Sequence, residues 1–330
     1  MHYVLKEYEL IIIGGGVAGM SAAMGAKQNG VKNILILERE DRLGGTVNLC
    51  IHNGFGKKVL GTKITGPEYV DYLKTDLNTL NIECLLSTMV LRINHENVVT
   101  FVNPEEGMQR VKGSAIIIAT GSREKYTGRV NIINSKITGV YAIGTAQQFV
   151  NIHGYLPGKD IVIVGSNEIA LIIARRLIVE GAHIKAIVEE ENEVTCKSRE
   201  IKNIIDTFNI PVITSSEITD LIGKDRIEKI KISGVNTQDD DMSSNELECD
   251  CVLVTVDLMP ETELLKNINV DMDKNGAPIV DEKMSTNRRG IFACGNAVHR
   301  YGYADDTTIE GIQTGKNAAE YICKLNTMRH

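Results

Sequence analysis

Apolar residues fall along this chain in a succession of runs that occurs twice. Residues 8–13 form a short, nearly unbroken apolar stretch that ends in glycines, which predicts a buried strand. The small-residue stretch 17–29 predicts a helix, and residues 33–38 predict a second strand. Residues 160–164, 168–181 and 183–188 repeat that plan of strand, helix and strand. After the first copy comes a helical pattern over 67–80, then alternating stretches at 89–94, 97–103 and 108–112 separated by turn-like segments, which read as a small antiparallel meander. Residues 115–118 are a continuous apolar run, expected of a buried parallel strand. The second copy is followed by a similar meander over 217–236, a polar stretch at 238–246 expected to be an exposed loop, and a buried-strand candidate at 251–256. From residue 261 the pattern does not extend the second copy. A strand at 290–293, a turn at 294–296 and a final helix over 307–325 read as a return that completes the first domain.

Between strand and helix, each copy has a turn suited to close approach of a phosphate. The first places Gly14, Gly16 and Gly19 in that turn, with the acid Glu38 24 residues beyond Gly14. The second places Gly165, Asn167 and Ala170, with Glu189 24 residues beyond Gly165. Gly14 permits the tight turn, Gly16 lets the backbone approach a pyrophosphate, and Gly19 lets helix and strand pack closely. The helix N-terminus adds unpaired N–H groups and a partial positive charge. Glu38 is placed to accept from both hydroxyls of an adenosine ribose. Asn tolerates positive φ better than other non-glycine residues, so the second turn is expected to survive with a side chain in the space near the phosphates. Ala170 is an accepted variant of the third glycine. Glu189, an acid rather than an arginine, favours NAD over NADP, whose extra phosphate it would repel. The second copy is either a working nucleotide site or a copy of the fold that has lost its ligand. The expected fold class is α/β, with two Rossmann-like ββα dinucleotide-binding domains carrying antiparallel meanders, the second inserted in the first. The expected boundaries are 1–122 with 258–330 for one domain and 123–257 for the other. Two cradles in one chain point to two dinucleotides with electrons passing between them.

At 330 residues there is room for two domains, each with its own core. A net charge of −7, the lack of a basic run and the absence of Trp argue against nucleic acid or an acidic membrane as partner. The uncharged stretch 10–26 is glycine-rich and short for a bilayer, so neither a signal peptide nor a membrane span is expected, and a cytoplasmic location is the default. Seven cysteines with no C-x-x-C pair and no metal-ligand spacing indicate reduced, mostly buried thiols, with no metal.

The first turn with Glu38, the run Arg42, Leu43, Gly44, Gly45, Thr46, the tripeptide Ala119, Thr120, Gly121, the second turn, and the run 290–296 (Gly-Ile-Phe-Ala-Cys-Gly-Asn) occur in a telling order. Over nearly its whole length the chain resembles the two-dinucleotide-binding-domain flavoproteins, the group that includes thioredoxin reductase and the disulfide reductases. Stretches 49–56, 65–69 and 144–147 are similar to a narrower branch. That branch contains flavin subunits of multi-component dehydrogenases, of the dye-linked proline dehydrogenase and hydrogen cyanide synthase type, and companions of anaerobic glycerol-3-phosphate dehydrogenase. The resemblance implies FAD on the first domain and NAD(H) on the second, with hydride passing between nicotinamide and flavin N5. It implies an onward partner subunit or acceptor, or else a homo-oligomer.

Position by position, the resemblance implies that Gly14, Gly16, Val17 and Ala18 hold the FAD diphosphate, and that Glu38 with Arg39 lies at the adenosine ribose. Gly44, Gly45 and Thr46 would lie along the diphosphate and flavin side, Val90 near the adenine, and Ala119, Thr120 and Gly121 at the crossover. Gly295 and Asn296 match a motif that usually ends in Gly-Asp and binds the ribityl chain. Thr307 and Thr308 would open the final helix toward the flavin. Gly165, Asn167, Glu168, Ile169 and Glu189 would hold NAD, and Asp257 stands where a glycine is usual near the nicotinamide. The disulfide reductases carry two cysteines after their Gly-Gly-Thr segment, whereas this chain has only Cys50, so a dithiol relay is excluded. Cys50 with His52 is either a single redox thiol or proton donor near the flavin, or a packed cysteine beside a hydrogen-bonding histidine. Cys249, Cys251 and Cys294 are read as structural.

Overall fold

The computed structural model describes residues 5–125, 137–235, 245–299 and 302–328. Two compact units emerge, Met1–Arg123 with Leu258–His330, and Glu124–Asp257. The first begins with β1 (Lys6–Ile13), α1 (Val17–Gln28) and β2 (Ile34–Leu37), followed by β3 (Asn53–Phe55), β4 (Ile64–Thr65), α2 (Gly66–Thr79) and β5 (Glu83–Leu85). A meander of β6 (Met89–Ile93), β7 (Val98–Asn103) and β8 (Gly107–Ile118) follows, and then the short β9 (Ser122–Glu124). The sheet runs β5-β2-β1-β8-β7-β6. Its β5, β2, β1 and β8 are mutually parallel, whereas β7 and β6 fold back antiparallel.

The alternating stretch at 108–112 and the apolar run at 115–118 were expected as two pieces, and they form the single strand β8. Its burial alternates where it pairs with β7 and becomes continuous at Ala115–Ile118. The change of pattern therefore marks passage from a half-exposed meander into a sheet covered on both faces, with no break in the chain.

In the second unit β10 (Val140–Ala142), α3 (Ile143–Asn151), β11 (Asp160–Val164), α4 (Glu168–Val179), β12 (His183–Val188), α5 (Arg199–Thr207) and β13 (Val212–Ile213) come first. A meander of β14 (Ser216–Gly223), β15 (Ile227–Gly234) and β16 (Asn245–Glu248) leads to β17 (Cys251–Val254). The central sheet, β10-β17-β11-β12-β13, is wholly parallel, and β14–β16 form a separate antiparallel sheet. The loop expected over 238–246 ends earlier, because Asn245 already opens β16; residues 236–244 lie outside the described set. Two helices of this unit were not expected from the sequence. Helix α3 has no side-chain cap of its own; instead the Glu124 carboxylate accepts the Gly144 N–H at 2.7 Å, a partner remote in sequence. Helix α5 has a local signal, a Ser198 cap ahead of isoleucines at helical spacing.

The chain returns through β18 (Leu258–Pro260) and α6 (Glu263–Lys266) to β19 (Ile291–Ala293), which pairs parallel with β8, and ends in α7 (Ala304–Thr327). Helix α7 thus starts three residues before the expected Thr307, with Tyr303 as its cap and Asp305 and Asp306 in the first turn. Helix α1 is buried continuously from Val17 to Ala26, packed between sheet and α7. Backbones touch there: a Cβ on Gly315 would lie 2.0 Å from the Ala22 carbonyl oxygen, and one on Gly25 would lie 2.2 Å from that of Ile312. Among the described residues no helix is long and apolar enough to cross a membrane.

Helix α2 opens on a capping box, in which Thr65 and Glu68 exchange side-chain and backbone bonds. Its Tyr69, fully buried, shares a 2.7 Å hydrogen bond with buried Thr308 of α7. Burial pushes the Tyr69 phenol up to about 12. Either single deletion strands a buried hydroxyl, so Tyr69→Phe and Thr308→Val are each expected to cost about 1–2 kcal/mol. The double variant is expected to cost less than their sum, read from urea midpoints at constant slope.

Candidate functional site

Two cradles stand at the carboxyl ends of the parallel strands, and their backbones are wired alike. In the first, the Gly14 N–H donates to Leu37 O at 2.9 Å, the Glu38 N–H to Leu85 O at 2.9 Å, and the Ala119 N–H to Ile13 O at 2.8 Å. In the second, Gly165 donates to Val188 O at 2.8 Å, Glu189 to Ile213 O at 2.9 Å, and Thr255 to Val164 O at 2.9 Å. Each acid ties the turn to the strand end. Glu38 accepts the Gly15 N–H at 2.6 Å on Oε2 and the Glu40 N–H at 2.9 Å on Oε1, and Glu189 accepts those of Ser166 and Glu191 at 2.9 and 3.2 Å.

In the first cradle Gly14 has φ +104°, and a Cβ there would lie 2.3 Å from the Ala119 carbonyl oxygen. Gly16 caps α1 with φ −70° and ψ −175° and offers no side-chain cap, so the helix's first N–H groups stay open to a ligand. The nearest atom to a Cβ on Gly16 would be the Gly45 Cα, 3.9 Å away, so that two glycines face each other with no side chain between them. Gly44, at φ +114°, donates to Gly15 O at 2.8 Å and brings Gly45 and the exposed Thr46 into place. Val17 and Ala18 are buried beneath, and Ala18 packs against Gly295 after β19. Asn296 keeps its Oδ1 buried with no hydrogen-bond partner among the described residues. An orphaned buried acceptor calls for a donor such as a ligand hydroxyl. Beside it, Glu310 of α7 accepts the Gly295 N–H at 2.6 Å and lies 3.1 Å from His299 Nε2. Burial pushes the Glu310 carboxyl up, against the pull of the Gly295 N–H and His299.

The other expected residues take varied places. Arg39 pairs with Glu261 at 2.7 Å, and Thr120 donates to the Glu261 carbonyl at 2.5 Å while Gly121 O accepts the Glu261 N–H. The Val90 side chain is buried in the core cluster with Tyr8 and Phe101. Thr307 and Thr308 lie one turn inside α7 instead of opening it, Thr307 against Gly295 and Thr308 on Tyr69. Cys50 ends a 3-10 turn, directs its Sγ at Thr46 O at 3.6 Å and accepts the Gly66 N–H at 2.8 Å; the His52 ring lies 5.4 Å from Phe55. The sequence reading missed Asp305, whose buried carboxylate accepts the Gly56 and Lys58 N–H groups at 2.9 Å and pins this loop to α7. It also missed Glu310, an acid inside a helix whose partner lies elsewhere in the chain, so no local pattern marks it. Cys251 opens β17 while Cys249 lies in the connection before it, so the two are not alternating positions of one strand. They sit in different core clusters, and burial pushes both thiols up to about 12 and the Cys294 thiol up as well.

The second cradle departs from expectation at one point. Asn167 has φ −72° and ψ 176°, so no left-handed backbone is needed there; the positive φ belongs to Gly165, at +89°. Its Oδ1 accepts the Ala170 N–H at 3.0 Å and caps α4. Glu168, in the first turn, accepts the Lys197 N–H at 2.9 Å; burial opposes its charge, but this bond and its neighbours hold the carboxyl below the usual range. Ile169 is exposed on the same turn. Glu189 is buried and also accepts from the Ser166 and Thr195 hydroxyls. Asp257 is exposed, and its carbonyl accepts the Lys125 N–H at 2.6 Å.

Two parallel-sheet units with phosphate-type turns at their carboxyl ends define an α/β fold of the two-dinucleotide-binding-domain kind. The family model described as pyridine nucleotide-disulphide oxidoreductase matches residues 8–320, and the chain belongs to that family of FAD-dependent NAD(P)H oxidoreductases. A 34.2 kDa protein in the rubredoxin operon of Clostridium pasteurianum is 28% identical over 298 residues, 88% of this chain and 89% of that one. A component of alkyl hydroperoxide reductase from Staphylococcus aureus is 24% identical over 97% of this chain, which spans only 60% of that relative's length. Among solved structures, T. acidophilum thioredoxin reductase superposes with a TM-score of 0.76 at 20% identity, covering 96% of this chain and 98% of that one. L-proline dehydrogenase from P. horikoshii gives 0.67 at 19%, covering 95% and 56%. These two structural likenesses concern the fold.

Proposed function

We propose that the unit Met1–Arg123 with Leu258–His330 holds FAD, that Glu124–Asp257 holds a pyridine nucleotide, NAD in preference to NADP, and that the chain passes reducing equivalents between NAD(H) and a second acceptor or partner subunit. The observation that carries this reading is the first cradle, where the bare Gly16–Gly45 face meets an uncapped helix N-terminus and the orphaned Asn296 Oδ1. These residues fit the group. The helix N–H groups would take the diphosphate, the Glu38 region the adenosine ribose, and Asn296 a ribityl hydroxyl. FAD, when bound, supplies a ring that takes a hydride and returns electrons singly or in pairs.

What the protein contributes is placement. Asp305 and the capping box of α2 hold the segment of Cys50 and His52, which stands as the candidate for proton exchange. Glu189 at the strand end, followed by Glu190 and Glu191, supports NAD because a 2′-phosphate would meet carboxylates. A role as flavin subunit of a multi-component dehydrogenase is supported by the likeness to the alkyl hydroperoxide reductase component. The self-capped helix α4 favours a second reading, an electron-relay or assembly subunit with a vestigial nucleotide site. Anaerobic mixing separates the two. NADH is expected to bleach the flavin, and faster than NADPH does; a spectrum indifferent to both would leave the relay reading.

A further inference from the structure

The two cradles are an internal control for each other. Their turns share the acid-to-turn bonds and the strand-end bonds, and their helix caps have the same backbone, φ −70° and ψ −175° at Gly16 against φ −72° and ψ 176° at Asn167. What differs is side chains. Where Gly16 leaves a bare surface, Asn167 places a carboxamide whose oxygen already holds the Ala170 N–H. Where Val17 follows Gly16, the charged Glu168 follows Asn167. A phosphate at such a helix end is attracted by free N–H donors and the helix dipole, and here Asn167 already holds the Ala170 N–H while the Glu168 carboxylate sits in the first turn. At the adenosine end Glu189 keeps the place and backbone bonds of Glu38, and its carboxylate also accepts from the Ser166 and Thr195 hydroxyls.

Resting on the nucleotide reading of the second unit, we infer that Asn167 limits affinity in that cradle by standing in for the dinucleotide's diphosphate, so that a bound nucleotide is held chiefly by its adenosine end. A diphosphate can enter only by turning the carboxamide aside and taking over the Ala170 N–H. The residue is thus a built-in competitor for one part of the ligand, and the competition disappears with the side chain. Glycine is nearly as good an N-cap as asparagine, so Asn167→Gly keeps the helix start.

The test is calorimetric titration of FAD-loaded wild type and Asn167→Gly with ADP-ribose, which carries the diphosphate, and with adenosine, which does not. Asn167→Gly is expected to bind ADP-ribose about tenfold more tightly, while its adenosine affinity and flavin spectrum stay as in wild type. Asn167→Ser, which keeps a shorter capping oxygen, is expected to fall between the two and serves if the glycine variant does not fold. Unchanged ADP-ribose affinity, or an equal gain for both ligands, overturns the role of Asn167 while the nucleotide site stands. Failure of wild type and variants to bind either ligand overturns the site and this inference together.

Discussion

Gly16→Asn is expected to leave the apoprotein folded and to deprive it of FAD, the affinity falling at least about a hundredfold, roughly 3 kcal/mol. The substitution gives α1 the cap that α4 already has. Both caps have the same extended backbone, so asparagine meets no strain there, and the space around Gly16 is open enough to take the side chain. Helix stability should change by only a few tenths of a kcal/mol, because glycine and asparagine differ little as N-caps. The carboxamide would then occupy the surface a diphosphate must approach and would take the N–H groups it needs. Flavin-fluorescence titration of the apoprotein reads the first effect and a urea midpoint reads the second. Retained affinity would show that the open face at Gly16 is not where the cofactor sits.

The second large effect is expected at Gly315, far along the chain from either turn. A side chain there runs into backbone, since its Cβ would stand 2.0 Å from Ala22 O and 2.7 Å from Ala26 N. Backbone cannot rotate away as a flexible side chain can, so α1 and α7 must separate. Gly315→Leu improves intrinsic helix propensity by about 0.8 kcal/mol, yet the protein is expected to lose about 3–5 kcal/mol in total. Because α1 starts at the cradle, FAD affinity should fall with stability. Lys316→Leu, one residue on and exposed, is expected to stay within about 0.5 kcal/mol of wild type by thermal or urea unfolding.

These two glycines also show what the sequence can reveal. Gly16 was legible because its role is local: a strand, a turn, a helix and an acid at fixed spacing are one contiguous physical unit. The paired parallel strands and both meanders were legible for the same reason, through periodicity alone. Gly315 was not legible, because its constraint comes from α1, nearly three hundred residues earlier. Glu124 on the Gly144 N–H and Glu310 on the Gly295 N–H are of the same kind, acids whose partner is set by the tertiary fold. The join of 108–112 and 115–118 into β8 was hidden by a change of burial that resembles a break in the pattern. At Asn167 the spacing was right and the conformation wrong. The turn needs positive φ at its first position, Gly165, so asparagine's tolerance of left-handed backbone plays no part, and its side chain acts as a cap instead.

The amino-terminal cradle is expected to hold one FAD, which the flavin content of the purified wild-type chain reads out. A yellow protein is expected that releases close to one flavin per chain on denaturation, identified as FAD by its conversion to FMN with phosphodiesterase. A colourless protein that takes up no added FAD while folded would contradict it.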